Sequence, residues 1–210
     1  MRRFTVLTLA VMALTASFAG SAPAASTDIL GCGEQELEQP FLRFLDPMSY
    51  VLAPGGDFES GAAGWQLAGG ARVVSGNEPF NVRGSGSGSN ALYLPRGSSA
   101  VSPATCVGLL HPTLRFFVQR NGGLLASLKV EMLYTGLLGR QMSVELLPGV
   151  LGSSAWAPTL PQVTLGSLLP ILSLDGLTAD VRFRFTPRSL LFSSADFRID
   201  DVYVDPFKLI

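Results

Sequence analysis

Two stretches, APGGDFESGAAGW at Ala53–Trp65 and DFRIDDVYVDP at Asp196–Pro206, enclose a long region of short apolar runs broken by Gly, Ser and Pro. Partial alternation of apolar and polar residues, as in FRIDDVYV, is typical of strands with one buried face. Together the two stretches predict an all-β sandwich in which the first and last strands meet.

The region between them predicts further strands. Segments rich in β-branched or aromatic residues with partial period-two alternation each indicate one strand, and they lie at 71–75, 91–94, 113–119, 124–134, 141–147, 180–186 and 197–204. The pattern is clearest in VRFRF at 181–185, where the Val and Phe side chains are expected on one face and the Arg side chains on the other. Gly-containing turn signals separate the runs, as in a sandwich or barrel.

The chain divides into three parts. Residues 1–25 have the basic start, apolar stretch and small-residue cleavage site of a secretory signal peptide. An uncleaved membrane anchor is the alternative, but Thr and Ser interrupt Phe4–Phe18, which is shorter than the roughly 20 residues that span a bilayer. Residues 26–49 form an irregular N-terminal extension, as a short helix or an extended strap, and 50–210 form the sandwich domain. We expect a secreted or cell-surface protein with no transmembrane segment after cleavage.

Cys32 and Cys106 are the two cysteines, and both lie after the predicted cleavage site. Disulfides persist in oxidising compartments, so we expect the two to pair. In the chain-entropy model a bond closing so long a loop stabilises by about 4 kcal/mol. Two separate buried thiols are the alternative.

Composition argues against two classes of function. The formal net charge is −1 and the basic residues are scattered, so the chain lacks the clustered positive face that nucleic acids require. His111 is the one histidine, and no G-x-S-x-G motif accompanies it to suggest a Ser-His-acid triad. We expect a loop histidine and no enzymatic activity.

Three carboxylates are candidates for a cation site. Asp57, Glu59 and Asp201 lie in the two enclosing stretches, and their oxygens converge if the first and last strands are adjacent. Calcium prefers several oxygen ligands, including backbone carbonyls of the kind that Gly-rich turns expose. The alternative is that these carboxylates accept hydrogen bonds from backbone amides or lie in solvent.

Four residues are candidates for ligand contact. Phe80, Asn81 and Arg83 belong to a predicted loop, where side chains are free to touch a ligand, and Tyr93 is a nearby aromatic residue. Flat aromatic rings suit the faces of sugars, although burial in a core is the commoner use of such residues.

From about Tyr50 to Pro206 the chain resembles the galactose-binding-like jelly rolls, in particular secreted carbohydrate-binding modules. Their opening pattern, N-G-x-F-E-x-G-x-x-x-W, compares with Gly55–Gly61 followed by Trp65, and their ending with Ile199–Val202. Ser154–Trp156 resembles the tryptophan that precedes a late strand in those modules. Gly replaces the usual opening Asn. The resemblance implies an antiparallel jelly-roll β-sandwich and a structural calcium ion bound by Glu59 and Asp201, with Asp57.

The chain also resembles small secreted actinobacterial proteins that share SGNEPF at 75–80 and RIDDVYVDP at 198–206. From these likenesses we expect a non-catalytic module that binds a carbohydrate or cell-envelope glycan on a concave sheet face or loop rim. A structural or adhesive envelope protein that binds another protein is the alternative.

Overall fold

The computed structural model describes residues 26–28, 32–84, 86, 88–108, 113–123, 125–136, 138–147, 149–164, 178–189 and 194–205. The predicted signal peptide lies outside these residues, and so does His111, for which the sequence predicts a loop. Within them the strands are β1 (Ser26–Asp28), β2 (Glu34–Glu36), β3 (Val51–Leu52), β4 (Gln66–Ala68), β5 (Arg72–Ser75), β6 (Asn90–Leu94), β7 (Ser99–Val101), β8 (Thr105–Gly108), β9 (Thr113–Arg120), β10 (Ala126–Thr135), β11 (Gln141–Leu147), β12 (Ala157–Pro158), β13 (Val163–Thr164), β14 (Thr178–Ser189) and β15 (Phe197–Asp205).

The strands form a sandwich of two antiparallel sheets. A seven-stranded sheet has the order β13-β11-β10-β14-β7-β4, with β8 also paired to β14. A six-stranded sheet has the order β12-β9-β15-β6-β5, with β3 also paired to β15. β1 and β2 form a separate two-stranded ribbon in the N-terminal extension. No helix in the described part of the chain is long and apolar enough to cross a membrane.

The first and last strands of the sandwich meet as the sequence predicts. Val204 in β15 pairs with Val51 in β3. The following turn continues the contact, because Ala53 donates its backbone N–H to the carbonyl of Val202, and Val202 donates to the carbonyl of Gly56. A Cβ at Gly56 would lie 2.9 Å from the Val202 carbonyl oxygen, so this close approach requires glycine.

One core lies between the two sheets, and alternation along the strands builds it. Val181, Phe183 and Phe185 are buried and belong to this core, whereas Arg182 is exposed, as the VRFRF pattern predicts. Phe185 packs edge-to-face against Phe116 of the facing sheet, with ring centroids 5.3 Å apart. Burying one such side chain stabilises the fold by about 2 kcal/mol, so the two inner faces hold the sandwich together.

A second, smaller cluster lies on the outer face of the six-stranded sheet. Phe117 and Tyr203 project from β9 and β15, and Phe41 and Tyr50 of the N-terminal extension pack onto them, all four fully buried. After β2 the extension therefore forms a strap over this sheet, with a short 3₁₀ turn at Leu42–Phe44. We call residues 37–50 the strap.

A disulfide joins Cys32 to Cys106, which confirms the pairing expected from the sequence. Cys106 lies in β8 of the seven-stranded sheet, whereas the strap that follows Cys32 packs on the six-stranded sheet. The N-terminal extension is thus attached covalently to one sheet and by packing to the other.

Candidate functional site

Among the described residues, one half of the outer face of the six-stranded sheet is covered and the other half is open. On the covered half, Arg115 is buried beneath the strap, where its guanidinium lies 4.1 Å from the Phe41 ring centroid and forms an ion pair with Asp46. Asp46 also accepts a hydrogen bond from the Tyr50 hydroxyl at 2.7 Å. These contacts fix the strap to the sheet and remove this half from solvent.

Across the open half, four side chains form a row in register. Arg72 of β5 pairs with Tyr93 of β6, Tyr93 with Arg198 of β15, and Arg198 with Gln119 of β9. Their neighbours along the strands, including Leu92 and Ile199, belong to the core, so alternation places the four on the outer face. Since strands lie about 4.8 Å apart, the row spans about 14 Å. We call these four residues the open row.

The open row is polar and rich in positive charge. The Arg72 guanidinium stacks on the Tyr93 ring, 4.6 Å from its centroid, and the Tyr93 hydroxyl donates to Asp196 at 3.1 Å. Burial and the Asp196 hydrogen bond raise the pKa of Tyr93, while Arg72 and Arg198 act in the opposite direction. Tyr93 therefore lies between two cations and donates to one carboxylate.

Trp156 lies beside the open row. It immediately precedes β12, is half-buried and packs against the cluster beneath the strap. Gln119 donates to the carbonyl of Ser154 at 3.0 Å, which joins this segment to the row. The register of β9 and β12 thus brings the backbone of Trp156 near Gln119, while its ring packs on the covered half of the face.

A loop between β5 and β6 contains a buried carboxylate and contacts the strap. Glu78 in this loop is 1% exposed, and its carboxylate accepts hydrogen bonds from the backbone N–H groups of Phe80 and Val82. The Glu78 backbone N–H donates to the Asp200 carboxylate at 3.0 Å. Arg43 of the strap donates to the Phe80 carbonyl at 2.7 Å. Loop and strap therefore cover the same half of the sheet.

Beneath this loop lies a cluster of buried acidic side chains. Burial raises the pKa of Asp200 to about 8 and that of Asp201 to about 7, with the neighbouring carboxylates acting in the same direction. Asp201 has a φ of 46° and lies where the β9–β15 register shifts. Arg83 opposes the shift at Asp201 and pairs with Asp57. A guanidinium thus supplies positive charge to this cluster.

The three carboxylates proposed as calcium ligands have different surroundings. Glu59 accepts hydrogen bonds from the backbone N–H and side chain of both Ser89 and Asn90. Burial alone would raise the pKa of Glu59, but these bonds outweigh it and hold the pKa below its ordinary value. Asp57 is the partner of Arg83, and Asp201 is buried.

This donor set does not fit a calcium ion in the conformation described. The Glu59 oxygens already accept four hydrogen bonds, and Asp57 is already paired with a cation. Among the described residues, no group of three or more His, Cys, Asp or Glu side chains is arranged to hold a metal. Calcium binding stays a prediction from the sequence.

The four residues expected to contact a ligand lie in two places. Phe80 packs edge-to-face on Phe44 of the strap, with ring centroids 5.0 Å apart, and Arg83 pairs with Asp57. Asn81 is exposed in the same loop. Tyr93 lies apart from these three, in the open row. The structure does not bring the four together as one binding surface.

Three members of the open row, Arg72, Arg198 and Gln119, are not among the ligand-contact residues predicted from the sequence. Alternation in FRIDDVYV places Arg198 on the sheet face opposite to that of its buried neighbours Phe197 and Ile199. Its outward orientation can therefore be predicted from the sequence. The row itself depends on the register between four strands.

A cavity of about 400 Å³ opens at the edge of the sandwich. Its lining includes Val118, Val150, Leu151 and Leu160 and contains no charged side chain. It differs in chemistry from the open row.

No family model matches the chain, and no curated protein matches it. Solved structures do share its fold. It is similar to the N-terminal endo-1,4-beta-D-xylanase 10B of Clostridium thermocellum, containing CBM22-1 and GH10 modules in complex with xylohexaose, at 16% identity and a TM-score of 0.51. The match covers 77% of this chain and 29% of the xylanase chain.

Two smaller modules are also similar. The CBM22-1 xylan-binding domain of Paenibacillus barcinonensis Xyn10C is 15% identical, with a TM-score of 0.48 over 74% of this chain and 94% of that domain. TmCBM61 in complex with beta-1,4-galactotriose is 17% identical, with a TM-score of 0.40 over 73% and 96% of the two chains. The fold expected from the sequence, an all-β antiparallel jelly-roll sandwich, is confirmed.

Proposed function

We propose that this protein is a non-catalytic glycan-binding module that acts outside the cell or at its surface, with the open row as its binding site. The observation that carries the proposal is the row itself: Arg72, Tyr93, Arg198 and Gln119 share the uncovered half of one sheet face in consecutive register. Hydrogen-bonding side chains beside aromatic rings suit sugars, whose hydroxyl groups need partners and whose ring faces are apolar.

The geometry favours binding over catalysis. The row lies on regular strands held by main-chain hydrogen bonds, which keeps its side chains pre-organised for recognition and lowers the entropic cost of binding. Asp196, the carboxylate beside Tyr93, accepts hydrogen bonds from the Tyr93 hydroxyl and the Arg96 backbone N–H. The similarity in fold to a protein whose CBM22-1 and GH10 modules are described in complex with xylohexaose supports the choice of ligand class.

A glycan array tests this proposal. Mature protein is applied to plant, fungal and bacterial polysaccharides, together with the variants Tyr93→Ala and Gln119→Ala. Met142→Ala, which truncates an exposed side chain on the opposite sheet, is the matched control. We expect saturable binding by wild type and control, and at least tenfold weaker binding by the two row variants.

Circular dichroism and thermal melts show whether the variants remain folded. Tyr93 contacts Asp196 and Arg72, which Gln119 does not. If Tyr93→Ala fails to fold, the comparison of Gln119→Ala with wild type still tests the open row. Absence of binding to every glycan by folded wild-type protein would reject the proposal. Equal binding by folded wild type and both row variants would reject the open row as the site.

A second candidate, an adhesive envelope protein that binds another protein, is favoured by exposed apolar side chains on the strap. Leu42 is 53% exposed and Leu45 is 94% exposed. A negative glycan array, combined with binding to cell-envelope protein that is lost in Leu42→Ser, would favour this candidate.

A further inference from the structure

We propose that the open row selects acidic glycans, with Arg198 and Arg72 pairing with a carboxylate, sulfate or phosphate group on the sugar chain. This inference rests on the glycan-binding function proposed above and adds the charge class of its ligand. It follows from which cations of the protein have anionic partners and which do not.

Five described cations on the sheets and their loops are paired with carboxylates. Arg83 pairs with Asp57 and Arg115 with Asp46. On the seven-stranded sheet, Glu131 pairs with Lys129 at 2.5 Å and with Arg184 at 2.8 Å, and Glu145 lies 3.6 Å from Arg188. The protein thus neutralises its cations where strands bring opposite charges together.

Arg198 departs from this arrangement. It is half-buried in the middle of the open row, and none of the described carboxylates forms an ion pair with it. Its Nε atom is buried and has no hydrogen-bond partner among the described residues. A buried donor without an acceptor is uncommon and calls for an explanation. A ligand that reorients the guanidinium and accepts from it would supply one.

Arg72 adds a second cation to the row. Its side chain is exposed, its guanidinium lies on the Tyr93 ring, and its Nη1 donates to the Gly70 carbonyl at 3.1 Å. Because Arg72 lies over the Tyr93 ring, a ligand at this point meets guanidinium donors. Without Arg72 it would meet an aromatic face of the kind that suits a neutral sugar. Guanidinium groups match the paired oxygens of carboxylate and phosphate groups.

The one described carboxylate beside the row, Asp196, offsets only part of the charge of Arg72, Arg198 and Arg96. Asp196 accepts from the Tyr93 hydroxyl with one oxygen and from the Arg96 backbone N–H with the other. Arg96 itself is exposed, and no described carboxylate forms an ion pair with its side chain. The face around Tyr93 therefore has an excess of positive charge on a protein whose net charge is −1.

The test compares polysaccharides that share a backbone and differ in charge. The pairs are polygalacturonate with its methyl ester, glucuronoxylan with unsubstituted xylan, and dextran sulfate with dextran. Affinities are measured by titration at 50 and 300 mM salt for wild type, Arg198→Gln and Arg72→Gln. Arg182→Gln removes the same charge from an exposed position on the opposite sheet and is the matched control.

We expect wild type and Arg182→Gln to bind the acidic member of at least one pair tenfold or more tightly than the neutral member. Arg198→Gln should lose that preference while retaining binding to the neutral member, and Arg198→Lys should restore only part of it. Preference for polygalacturonate or glucuronoxylan identifies carboxylate as the ligand group, and preference for dextran sulfate identifies sulfate.

The remaining outcomes overturn the inference. Equal binding of acidic and neutral members rejects charge selection and leaves the glycan-binding function intact. Binding to no member of any pair, together with a negative array, rejects both proposals. An equal loss in Arg182→Gln and Arg198→Gln shows a general effect of protein charge, and an unchanged preference in both row variants places acid recognition elsewhere.

Discussion

The carboxylate of Asp200 accepts a hydrogen bond from the backbone N–H of Glu78 at 3.0 Å, although the two residues are 122 positions apart in the chain. This bond joins the loop after β5 to the last strand of the sandwich. Both side chains are almost fully buried, so the contact places ionisable groups in a poorly solvated environment.

The first prediction concerns pH. Burial raises the pKa of Asp200 from 3.8 to about 8 and that of Asp201 to about 7. Between the unfolded-state pKa of 3.8 and these raised values, the folded state binds more protons than the unfolded state. The stability that the two groups contribute is therefore complete below about pH 4 and is lost as the pH rises through the raised pKa values. We expect the free energy of unfolding to fall by several kcal/mol from pH 5 to pH 9.

Urea denaturation at pH 5, 7 and 9 measures this slope. Asp200→Asn keeps a carbonyl acceptor and removes the titrating group, so its stability should depend less on pH. Asp180→Asn, at an exposed position, should retain the wild-type slope. Identical slopes in wild type and Asp200→Asn would contradict the prediction.

The second prediction concerns Arg83, which lowers the pKa of Asp201 and pairs with Asp57. Arg83→Gln should destabilise the protein by about 1 kcal/mol, and more at pH 8 than at pH 5, because the carboxylates then lack a counter-charge. Arg188→Gln, which breaks an exposed pair with Glu145, should have little effect at either pH.

The same variant tests the calcium prediction. If Asp57, Glu59 and Asp201 bind calcium, removing the competing guanidinium should make millimolar calcium raise the melting temperature of Arg83→Gln more than that of wild type. Melting curves in calcium and in chelator provide the comparison. Superimposable curves for both proteins would reject a calcium site.

The third prediction concerns the strap. Phe41 is fully buried, and its ring lies 5.1 Å from that of Tyr50 and 5.5 Å from that of Phe117. Phe41→Ala should cost about 3 to 5 kcal/mol in the free energy of unfolding and expose residues 37–50 to protease. Leu45→Ala, at a site that is 94% exposed, should change stability by less than about 0.5 kcal/mol. Unaltered protease resistance in Phe41→Ala would show that the strap is held by its polar contacts alone.

The fourth prediction concerns the disulfide. Cys32 and Cys106 are 74 positions apart. In the chain-entropy model, closing a loop of that length lowers the entropy of the unfolded state and so stabilises the folded protein by about 4 kcal/mol. Replacing both cysteines by serine should lower the free energy of unfolding by up to that amount. Wild type in reductant should behave like the double variant, and a reductant-insensitive unfolding curve would count against the prediction.

Local pattern was sufficient to predict seven of the fifteen strands in the described residues, and the strands it missed have two to four residues each. The segments selected at 141–147 and 180–186 correspond to β11 and to the centre of β14. The pairing of the first and last strands followed from the two enclosing stretches, and the disulfide from the expected compartment. For the strands the signal lay in residue types close together in the sequence, whereas the disulfide joins positions 74 residues apart and followed from the expected redox compartment.

The open row was harder to predict because register is a non-local property. Shifting one strand by one residue reverses which side chains face outward, and Arg72 and Arg198 are joined only through β6. Phe80 shows the same limit. Its sequence context predicts a loop. In the structure Phe44 packs against its ring and Arg43 donates to its carbonyl, and contacts with so distant a segment cannot be predicted from the residues around Phe80.

The register of the open row has a consequence for how the specificity of this protein changes. Each of its four side chains is attached to a strand whose opposite face is anchored in the core, so exchanging one side chain leaves the backbone positions of the other three in place. Replacements at positions 72, 93, 119 and 198 can therefore be combined in a small library, with those at 72 and 93 coupled through their ring contact. A sheet face of this kind offers a route to new ligand preferences by single substitutions, without insertion or remodelling of loops.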